Sequence, residues 1–356
     1  MWKSILNGNR VPGIWRMPAA ILAVVALAGA GPPPGAPPVR LALTRLGSVT
    51  LSGLKAAEQV VALNPGYAVR DISPEHPEDQ ALRIFDETGR AVRSLGGRGD
   101  EPGQFSWLMQ VANGPGGLLW AADGIGRLNW FDRAGTLRGS TLVQNPGYRI
   151  QGMVLDPAHG VYYLSGCVPL HVYLDFGCHL VHQYRLSDRR YVRSFLETPQ
   201  EAIANHFFGI ESVEMDVDPQ GRVFATDAPL HRVFRIEPAS GKVEVLALRG
   251  AALRATRPLP RMRPREVTLA ALKSSYLIDR VAVTGPFVVV SVQKPGDTGY
   301  LLEIIDFDGR PIATDLPSPG RLVGKAAGGA LLFANRRPAG FELSRYRLAP
   351  PSGGTR

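Results

Sequence analysis

The stretch Phe85-Asp86-Glu87-Thr88-Gly89 returns twice, as Phe131-Asp132-Arg133-Ala134-Gly135 and as Ile305-Asp306-Phe307-Asp308-Gly309. Looser copies begin at Tyr184, Phe234 and Tyr346. Successive copies start 41 to 71 residues apart, and short apolar runs and Gly-rich turns separate them. A spacing of roughly 40–50 residues with such short strands is typical of β-propeller blades. The sequence therefore predicts an all-β fold, a six-bladed β-propeller of four-stranded blades.

The second repeat shows the four strands most clearly. Gln110–Asn113 is predicted as the innermost strand, Leu118–Ala122 as the buried second strand and Arg127–Phe131 as the third, and Arg133–Thr136 leads to the outer strand. The other repeats centre on apolar runs at Tyr67–Arg70, Val161–Leu164, Val223–Asp227, Phe287–Val290 and Leu331–Ala334.

A strand-like segment, Val39–Leu43, precedes the first repeat and has no blade of its own. An unpaired edge strand favours aggregation, and closed propellers avoid such edges. We therefore expect this segment to pair with the last blade and to close the ring.

The N-terminal segment is predicted to be a targeting sequence. Residues 1–30 combine three basic residues, an apolar run from Pro18 to Ala30 and an Ala28-Gly29-Ala30 cleavage pattern, which is typical of a signal peptide. The run is shorter than the roughly 20 apolar residues of a membrane span. Export to the periplasm or outside the cell follows, with an uncleaved anchor as the alternative. Residues 31–38 form a Pro-rich spacer, and 39–356 form the propeller.

The net charge is +9, and part of it is concentrated in one segment. Six arginines and no acidic residue lie between 249 and 265. Such a basic run can meet an acidic partner, although a solvated loop is the simpler interpretation. Nucleic acid is disfavoured as a partner because the segment lacks interleaved aromatic residues.

Two segments carry a family resemblance. Leu95–Phe105, which contains Glu101-Pro102-Gly103-Gln104-Phe105, resembles the Gly-Pro-Gly-x-Phe linker between NHL repeats. The segment from Leu118 to Gly135 resembles the body of such a repeat, although Gly126 stands where the family often has Asn. The chain thus resembles the six-bladed, NHL-like propellers that bacteria export. That family includes scaffolds, ligand sensors and some lyases, so the resemblance implies a fold and not an activity.

The unusual loops are expected on one face of the propeller. In a propeller, loops from second to third strands and loops between blades open on the same face. The segments 71–80, 166–178, 196–208, 249–276 and 292–299 all fall in those connections. Loops on a rigid frame commonly carry function. The predicted channel residues at this face include Trp107, Tyr148, Arg149, Glu211, Asp279, Arg280 and Arg321.

Aromatic walls with arginines and carboxylates suit a small anionic or sugar-like ligand. A structural alternative is that Glu211 or Asp279 pairs with Arg280.

Cys167 and Cys178 are the only cysteines and flank one predicted hairpin loop. In an oxidising compartment a disulfide is the natural interpretation. Free thiols, or zinc ligation with the nearby His171, His179 and His182, are the alternatives.

Acidic residues in loops have mainly structural interpretations. Asp123 and Asp227 occupy equivalent repeat positions, which favours a turn role. Asp71, Glu75, Glu78 and Asp79 surround His76, but their spacing does not match a calcium loop.

The leading hypothesis is an exported, monomeric, non-catalytic propeller without a cofactor. It would bind a small anionic ligand, an acidic glycan or a protein partner on its loop-bearing face. The alternative is a lyase- or lactonase-type enzyme with calcium or zinc in the channel. Its candidate metal ligands are His206, Glu211, Glu214 and Asp279.

Overall fold

The computed structural model describes residues 41–72, 80–143, 149–167, 179–198, 213–227, 231–255 and 274–349. Within these ranges, 24 strands form six antiparallel sheets of four strands each. The innermost strand of each sheet contacts the innermost strands of both neighbouring sheets, so the six sheets form a ring around a central channel. The predicted six-bladed β-propeller is confirmed.

In blades one to five the strands follow one another in sequence from the channel outward. Blade one has β2 (Gln59–Ala62), β3 (Tyr67–Asp71), β4 (Ala81–Phe85) and β5 (Ala91–Leu95). Blade two has β6 (Leu108–Asn113), β7 (Leu119–Asp123), β8 (Arg127–Phe131) and β9 (Leu137–Leu142). Blade three has β10 (Arg149–Asp156), β11 (Val161–Cys167), β12 (His179–Arg185) and β13 (Tyr191–Glu197).

Blade four has β14 (Met215–Val217), β15 (Val223–Asp227), β16 (Arg232–Glu237) and β17 (Lys242–Ala247). A one-turn helix, Ala251–Ala255, follows it. Blade five has β18 (Leu277–Thr284), β19 (Phe287–Gln293), β20 (Tyr300–Asp306) and β21 (Pro311–Pro317). Blade six has β22 (Arg321–Lys325), β23 (Leu331–Arg337), β24 (Gly340–Ala349) and, outermost, β1 (Ala42–Ser52).

The repeated Asp-x-x-Gly phrase forms the turn between the third and fourth strands. Asp86 Oδ1 accepts hydrogen bonds from the N–H groups of Thr88 and Arg90, both at 3.0 Å. Asp306 Oδ1 accepts the equivalent pair, from Asp308 at 2.9 Å and Arg310 at 2.8 Å. Gly89 and Gly309 adopt φ of 85° and 79°, a region that favours glycine. The phrase recurs because these blades connect their third and fourth strands by the same side-chain-capped turn.

The N-terminal strand closes the ring, as predicted, with bounds that differ from the prediction. The strand β1 begins at Ala42 and continues to Ser52, and it pairs antiparallel with β24 from Ala42↔Ala349 to Ser52↔Gly340. Residues 39 and 40 lie outside the described residues. The strands β1 and β24 are far apart in the sequence and lie side by side in one sheet. The pairing within blade six therefore includes a long-range contact between the two strands.

The hydrophobic core lies between neighbouring blades. Each of six apolar clusters combines buried residues of two adjacent sheets. At the closure, fully buried Leu51 packs with Val60 and Phe85 of blade one and with Leu343 of blade six. Burial between blades makes each blade depend on its neighbours, so the ring is expected to fold as one unit.

The strand order places the unusual loops on one face. Within each blade the strand direction alternates, so second-to-third connections and blade-to-blade connections share a side. Segments 71–80, 166–178 and 292–299 are connections of the first kind, and 196–208 and 249–276 are of the second kind. We call this side the loop-bearing face. Every innermost strand begins there.

Candidate functional site

Six ionisable side chains from four blades meet where the channel opens on the loop-bearing face. We call them the channel-mouth cluster: Glu58, Arg70, Glu214, Asp279, Arg280 and Arg321. Three are cationic and three are anionic, and all are largely buried. Buried charges are stable only when paired, so the details of the pairing decide what the cluster can bind.

Arg321 is the best-paired cation of the cluster. Its Nε and Nη2 donate to the two carboxylate oxygens of Asp279, both at 3.1 Å. Its Nη2 also lies 3.0 Å from Glu58 Oε2. Burial alone would lower the pKa of Arg321, but the two carboxylates outweigh it and hold that pKa well above its usual value. This bidentate geometry joins blade six to blade five.

A β-bulge presents Asp279 to Arg321. The register of β18 against β19 shifts between Ile278 and Arg280, which leaves Asp279 as the extra residue. Bulges re-aim side chains, and here Asp279 is 1% exposed. The same kind of shift interrupts β6, β10 and β22 close to their first residues.

Arg70 is poorly compensated. Its Nη2 lies 3.8 Å from Glu58 Oε2, the same oxygen that Arg321 approaches more closely. Its Nη1 donates to the carbonyl of Leu108 at 3.3 Å, and its buried Nε finds no hydrogen-bond partner among the described residues. Burial lowers the pKa of Arg70 to about 10, and the Glu58 carboxylate offsets only part of that effect. The neighbouring cations Arg280 and Arg321 lower it further.

Arg280 connects the cluster across the channel. Its Nη2 donates to the backbone carbonyl of Glu58 at 3.1 Å. Its Nη1 lies 3.5 Å from Glu214 Oε2, a longer approach than the Arg321 contacts. Its buried Nε also has no hydrogen-bond partner within the described ranges. Arg280 therefore retains donor capacity that the protein does not use fully.

The structure brings together some of the predicted site residues and not others. Asp279, Arg280 and Arg321 meet in the cluster, with Asp279 held by Arg321 and Arg280 paired with Glu214. Trp107 is half-buried and precedes Leu108 in the chain. Its backbone N–H donates to Asp123 Oδ1 at 2.9 Å. Outside the described part of the chain lie Tyr148, His206, Glu211 and the side chain of Arg149.

Sequence reasoning missed Glu58 and Arg70 as site residues. Arg70 is the last residue but one of β3, the second strand of its blade, where residues were expected to pack in the sheet. One signal was available, because Arg70 is the only charged residue in the run Tyr67–Arg70. Glu58 directly precedes the first innermost strand, the position that Glu214 holds in blade four.

The acidic residues at the ends of second strands are structural where the structure describes them. Asp123 accepts hydrogen bonds from the N–H groups of Ser106, Trp107 and Ile125. Asp71 takes the matching place in blade one, where it binds the N–H groups of Lys55 and Ala56. Burial raises the pKa of both carboxyls. Glu75, His76, Glu78 and Asp79, the remainder of the acidic loop, lie outside the described residues, as does the Asp227 side chain.

The cysteine and metal hypotheses remain predictions. Cys178 and the side chain of Cys167 are outside the described residues, and so is His171. Within the described ranges, no three His, Cys, Asp or Glu side chains are grouped so as to hold a metal ion. Of the candidate metal ligands, Glu214 and Asp279 contact arginines.

Another buried carboxyl, that of Glu303, lies away from the channel, at the junction of blades four and five. Glu303 is 1% exposed, and its Oε1 accepts the N–H of Asp315 at 2.8 Å. Asp315 in turn accepts the N–H groups of Ala251 and Ala252 at 2.7 and 3.2 Å. Burial raises the pKa of Glu303 to about 7, the nearby Asp315 carboxylate adds to the effect, and Arg254 opposes it.

We expect Glu303→Gln to change the pH dependence of stability. Because the folded-state pKa exceeds the ordinary value of 4.5, this carboxyl contributes stability below about pH 4.5 and loses it as the pH rises through about 7. The difference is on the order of 3 kcal/mol. Glu303→Gln mimics the protonated form, so its stability relative to the wild type should rise between pH 5 and pH 8.

Urea unfolding at both pH values checks this expectation, with Glu237→Gln on β16 as the matched control. Comparison with the wild type is needed because His182 acts in the opposite direction. Burial lowers the pKa of His182 to about 4, so its contribution is lost as the pH falls from 6.5 through that value. Equal pH profiles for Glu303→Gln and the wild type would show that Glu303 is ionised normally.

Comparisons with known proteins support the fold alone. No protein-family model matches the sequence, and no curated protein matches it. A crystal structure of a protein described as exported, from Bacteroides fragilis, superposes with a TM-score of 0.58 at 12% identity. The match covers 87% of this chain and 95% of that one.

Two further solved structures are similar over most of this chain. The extracellular domain of a hybrid two-component system from B. thetaiotaomicron matches at a TM-score of 0.48 and 12% identity, over 82% of this chain and 33% of that one. Virginiamycin B lyase from Staphylococcus aureus matches at a TM-score of 0.49 and 10% identity, over 88% and 90%. These neighbours include chains described as exported or extracellular. No helix in the described ranges is long and apolar enough to cross a membrane.

Proposed function

We propose that this chain is an exported β-propeller that binds a small anionic ligand in the channel mouth on its loop-bearing face. The observation that carries the proposal is the incomplete compensation of Arg70. The sequence hypothesis assigned the anion to Arg149, Arg280 and Arg321. We instead assign the main role to Arg70 and Arg280, because their contacts with carboxylates are longer than those of Arg321.

The charge pairing supports this choice of residues. Arg321 donates two hydrogen bonds to Asp279. Its guanidinium group also lies closer to Glu58 than that of Arg70 does. Arg70 and Arg280 are left with carboxylate contacts of 3.8 and 3.5 Å. Arg70 is buried and has a pKa of about 10, so a further negative charge nearby would stabilise its charged form.

The segment that Arg70 contacts is held in place by hydrogen bonds. Arg70 donates to the carbonyl of Leu108, and Trp107 is the next residue toward the loop-bearing face. The backbone N–H of Trp107 donates to the Asp123 side-chain Oδ1 at 2.9 Å, and the N–H of Gly124 donates to the carbonyl of Trp107 at 2.8 Å, so this segment is fixed. Together with Arg70, this held segment gives a ligand a charge anchor at a fixed place on the loop-bearing face.

Export accords with the N-terminal sequence pattern and with the described location of the first structural neighbour. A solute outside the cytoplasm is therefore the expected kind of ligand. A protein partner on the same face is the competing occupant, and the experiment below separates the two.

We expect at least one of four anions to raise the melting temperature of the purified protein. The probes are acetate, D-glucuronate, inorganic sulfate and inorganic phosphate, compared at constant ionic strength. Saturation at about 100 times Kd stabilises the folded state by about 2.7 kcal/mol, which corresponds to a shift of a few degrees. Arg70→Met should lose this shift.

Arg70→Met should also melt within about 2 °C of the wild type without ligand, because burial penalises the guanidinium and Glu58 keeps Arg321 as its partner. The matched control is Arg138→Met, which removes an exposed arginine of β9 that pairs with Asp132. This control should keep the ligand shift. A large loss of stability in Arg70→Met with an intact ligand shift would contradict the proposal. If no probe stabilises the wild type, the loop-bearing face is better explained as a protein-docking surface.

A further inference from the structure

We infer that ionisation of the buried Glu303 releases the short helix Ala251–Ala255 from blade five on the loop-bearing face. The helix lies in the connection from blade four to blade five and contacts β21. This inference goes beyond the proposed function and does not depend on it, because the channel-mouth cluster takes no part.

A β-bulge brings the carboxyl groups of Glu303 and Asp315 together. The register of β20 against β21 shifts between Leu302 and Ile304. Thr314 and Asp315 therefore both lie opposite Glu303. The backbone of Asp315 has a φ of 51°, which is uncommon for a residue other than glycine. Its N–H donates to Glu303 Oε1 at 2.8 Å, so the bulge holds both side chains beside the helix.

The helix begins directly on these two carboxyl groups. Asp315 accepts the N–H groups of Ala251 at 2.7 Å and of Ala252 at 3.2 Å. Gly250, the residue before the helix, is buried and in close contact with both acids. A Cβ added to it would lie 2.0 Å from Glu303 Oε1 and 2.9 Å from Asp315 Oδ1. The start of the helix therefore covers Glu303, which is 1% exposed.

The other side of the helix is held by apolar packing and by a histidine of blade four. Leu253 is 3% exposed and belongs to the apolar cluster that contains Leu248 and Leu301. The ring of His231 hydrogen-bonds to the backbone of Leu253 and, through Nε2, to the carbonyl of Tyr276 at 3.0 Å. Burial lowers the pKa of His231 from its ordinary value of 6.5, so this side of the helix does not titrate above pH 6.5.

The charges around Glu303 oppose its ionisation. Among the described residues, the charged groups that face it are Asp315 on β21 and Arg254 on the helix. Its pairing partner on β19 is the uncharged Val290, and blade four packs here with apolar residues such as Leu248. Burial raises the pKa of Glu303 to about 7, and the Asp315 carboxylate adds to this effect. Hydrogen bonds from backbone N–H groups and the charge of Arg254 oppose it.

An ionised Glu303 is poorly accommodated while the helix is attached. Its Oε2 is buried and has no hydrogen-bond partner within the described ranges, and the Asp315 carboxylate repels the new charge. Detachment of the helix lets water reach Glu303, and its pKa then returns to the ordinary value of 4.5. Attachment is therefore strongest below about pH 4.5 and weakens as the pH rises through about 7.

The helix connects this titration to the charge of the loop-bearing face. Arg249 and Arg254 are exposed, and they are the first two of the six arginines between 249 and 265. Detachment of Ala251–Ala255 would change where these two positive charges lie on the face. A rise in pH through about 7 would thus alter how an acidic partner meets the start of the basic segment.

Amide hydrogen exchange at pH 6 and pH 8 tests the inference, with Glu303→Gln as the variant that cannot ionise. The reporters are the amides of Ala251 and Ala252, which donate to Asp315. Comparison at the same pH cancels both the intrinsic pH dependence of exchange and the contribution of His231. The ratio of the wild-type rate to the variant rate should rise about tenfold from pH 6 to pH 8, as pKa values of about 7 and 4.5 require. The control Glu237→Gln should exchange like the wild type at both pH values.

A urea series separates detachment of the helix from unfolding of the whole ring. Detachment of one helical turn exposes little surface, so exchange at Ala251 and Ala252 should stay constant up to about 1 M urea. Exchange that instead accelerates in parallel with the amides of β18 would overturn the inference, because the helix would then open only with the ring. A wild-type to variant ratio that is equal at pH 6 and pH 8 would also overturn it. Should Glu303→Gln fail to fold, the wild-type rates, corrected for intrinsic exchange, must show the same tenfold rise.

Discussion

A chain truncated to begin at residue 53 is expected to lose cooperative folding and to aggregate. The truncation removes β1, which pairs with β24 along its full length and supplies the outer strand of blade six. The edge of β24 would be left unpaired, and an open edge promotes association between chains. It would also uncover the cluster between blades six and one, where Leu51 is fully buried.

A point substitution tests closure without altering the chain length. Leu51→Ala should lower the free energy of unfolding by about 2–5 kcal/mol, a large share of the roughly 5–15 kcal/mol of a typical domain. Leu46→Ala on the same strand is the matched control, because Leu46 is 43% exposed, and it should change stability by less than about 0.5 kcal/mol. Urea unfolding followed by tryptophan fluorescence measures both. A soluble truncated chain with the wild-type melting curve would show that β1 contributes nothing to the ring.

The blade architecture was predictable because its signals are local. The Asp-x-x-Gly turn, the apolar second strand and the linker before Phe105 are each encoded within a few residues. Gly96 shows how closely the linker packs on itself. Its φ is 73°, and an added Cβ would lie 2.2 Å from a ring carbon of buried Phe105. The expected N-terminal strand was also visible, although β1 extends to Ser52 because its partner β24 is ten residues long.

The pairing within the channel mouth was not predictable, because it joins residues distant in sequence. Arg321 and Asp279 are 42 positions apart, and Arg280 reaches Glu58 across 222 positions. The sequence showed which residues begin innermost strands, and therefore which ones surround the channel. It did not show that a bulge turns Asp279 toward Arg321, nor that Arg70 of a second strand reaches the same place.

Arg321→Met is expected to destabilise the protein by about 3–5 kcal/mol, the usual cost of leaving buried partners uncompensated. Asp279, which is 1% exposed, would lose both hydrogen bonds from Arg321, and Glu58 would lose its 3.0 Å contact with the same guanidinium group. The prediction separates two roles within one cluster. Arg321 is assigned to stability, whereas Arg70 is assigned to the ligand and should be nearly silent in the ligand-free protein.

Two further measurements make this assignment specific. The double variant Arg321→Met/Asp279→Leu should recover part of the lost stability, since replacing both partners of a buried pair removes the unpaired charge. The deficit of Arg321→Met alone should shrink as the pH falls. Uncompensated burial raises the pKa of the stranded carboxyls, and their protonation then restores stability relative to higher pH. If Arg321→Met instead melts like the wild type and abolishes anion binding, Arg321 is a ligand residue and the division of roles between Arg321 and Arg70 is wrong.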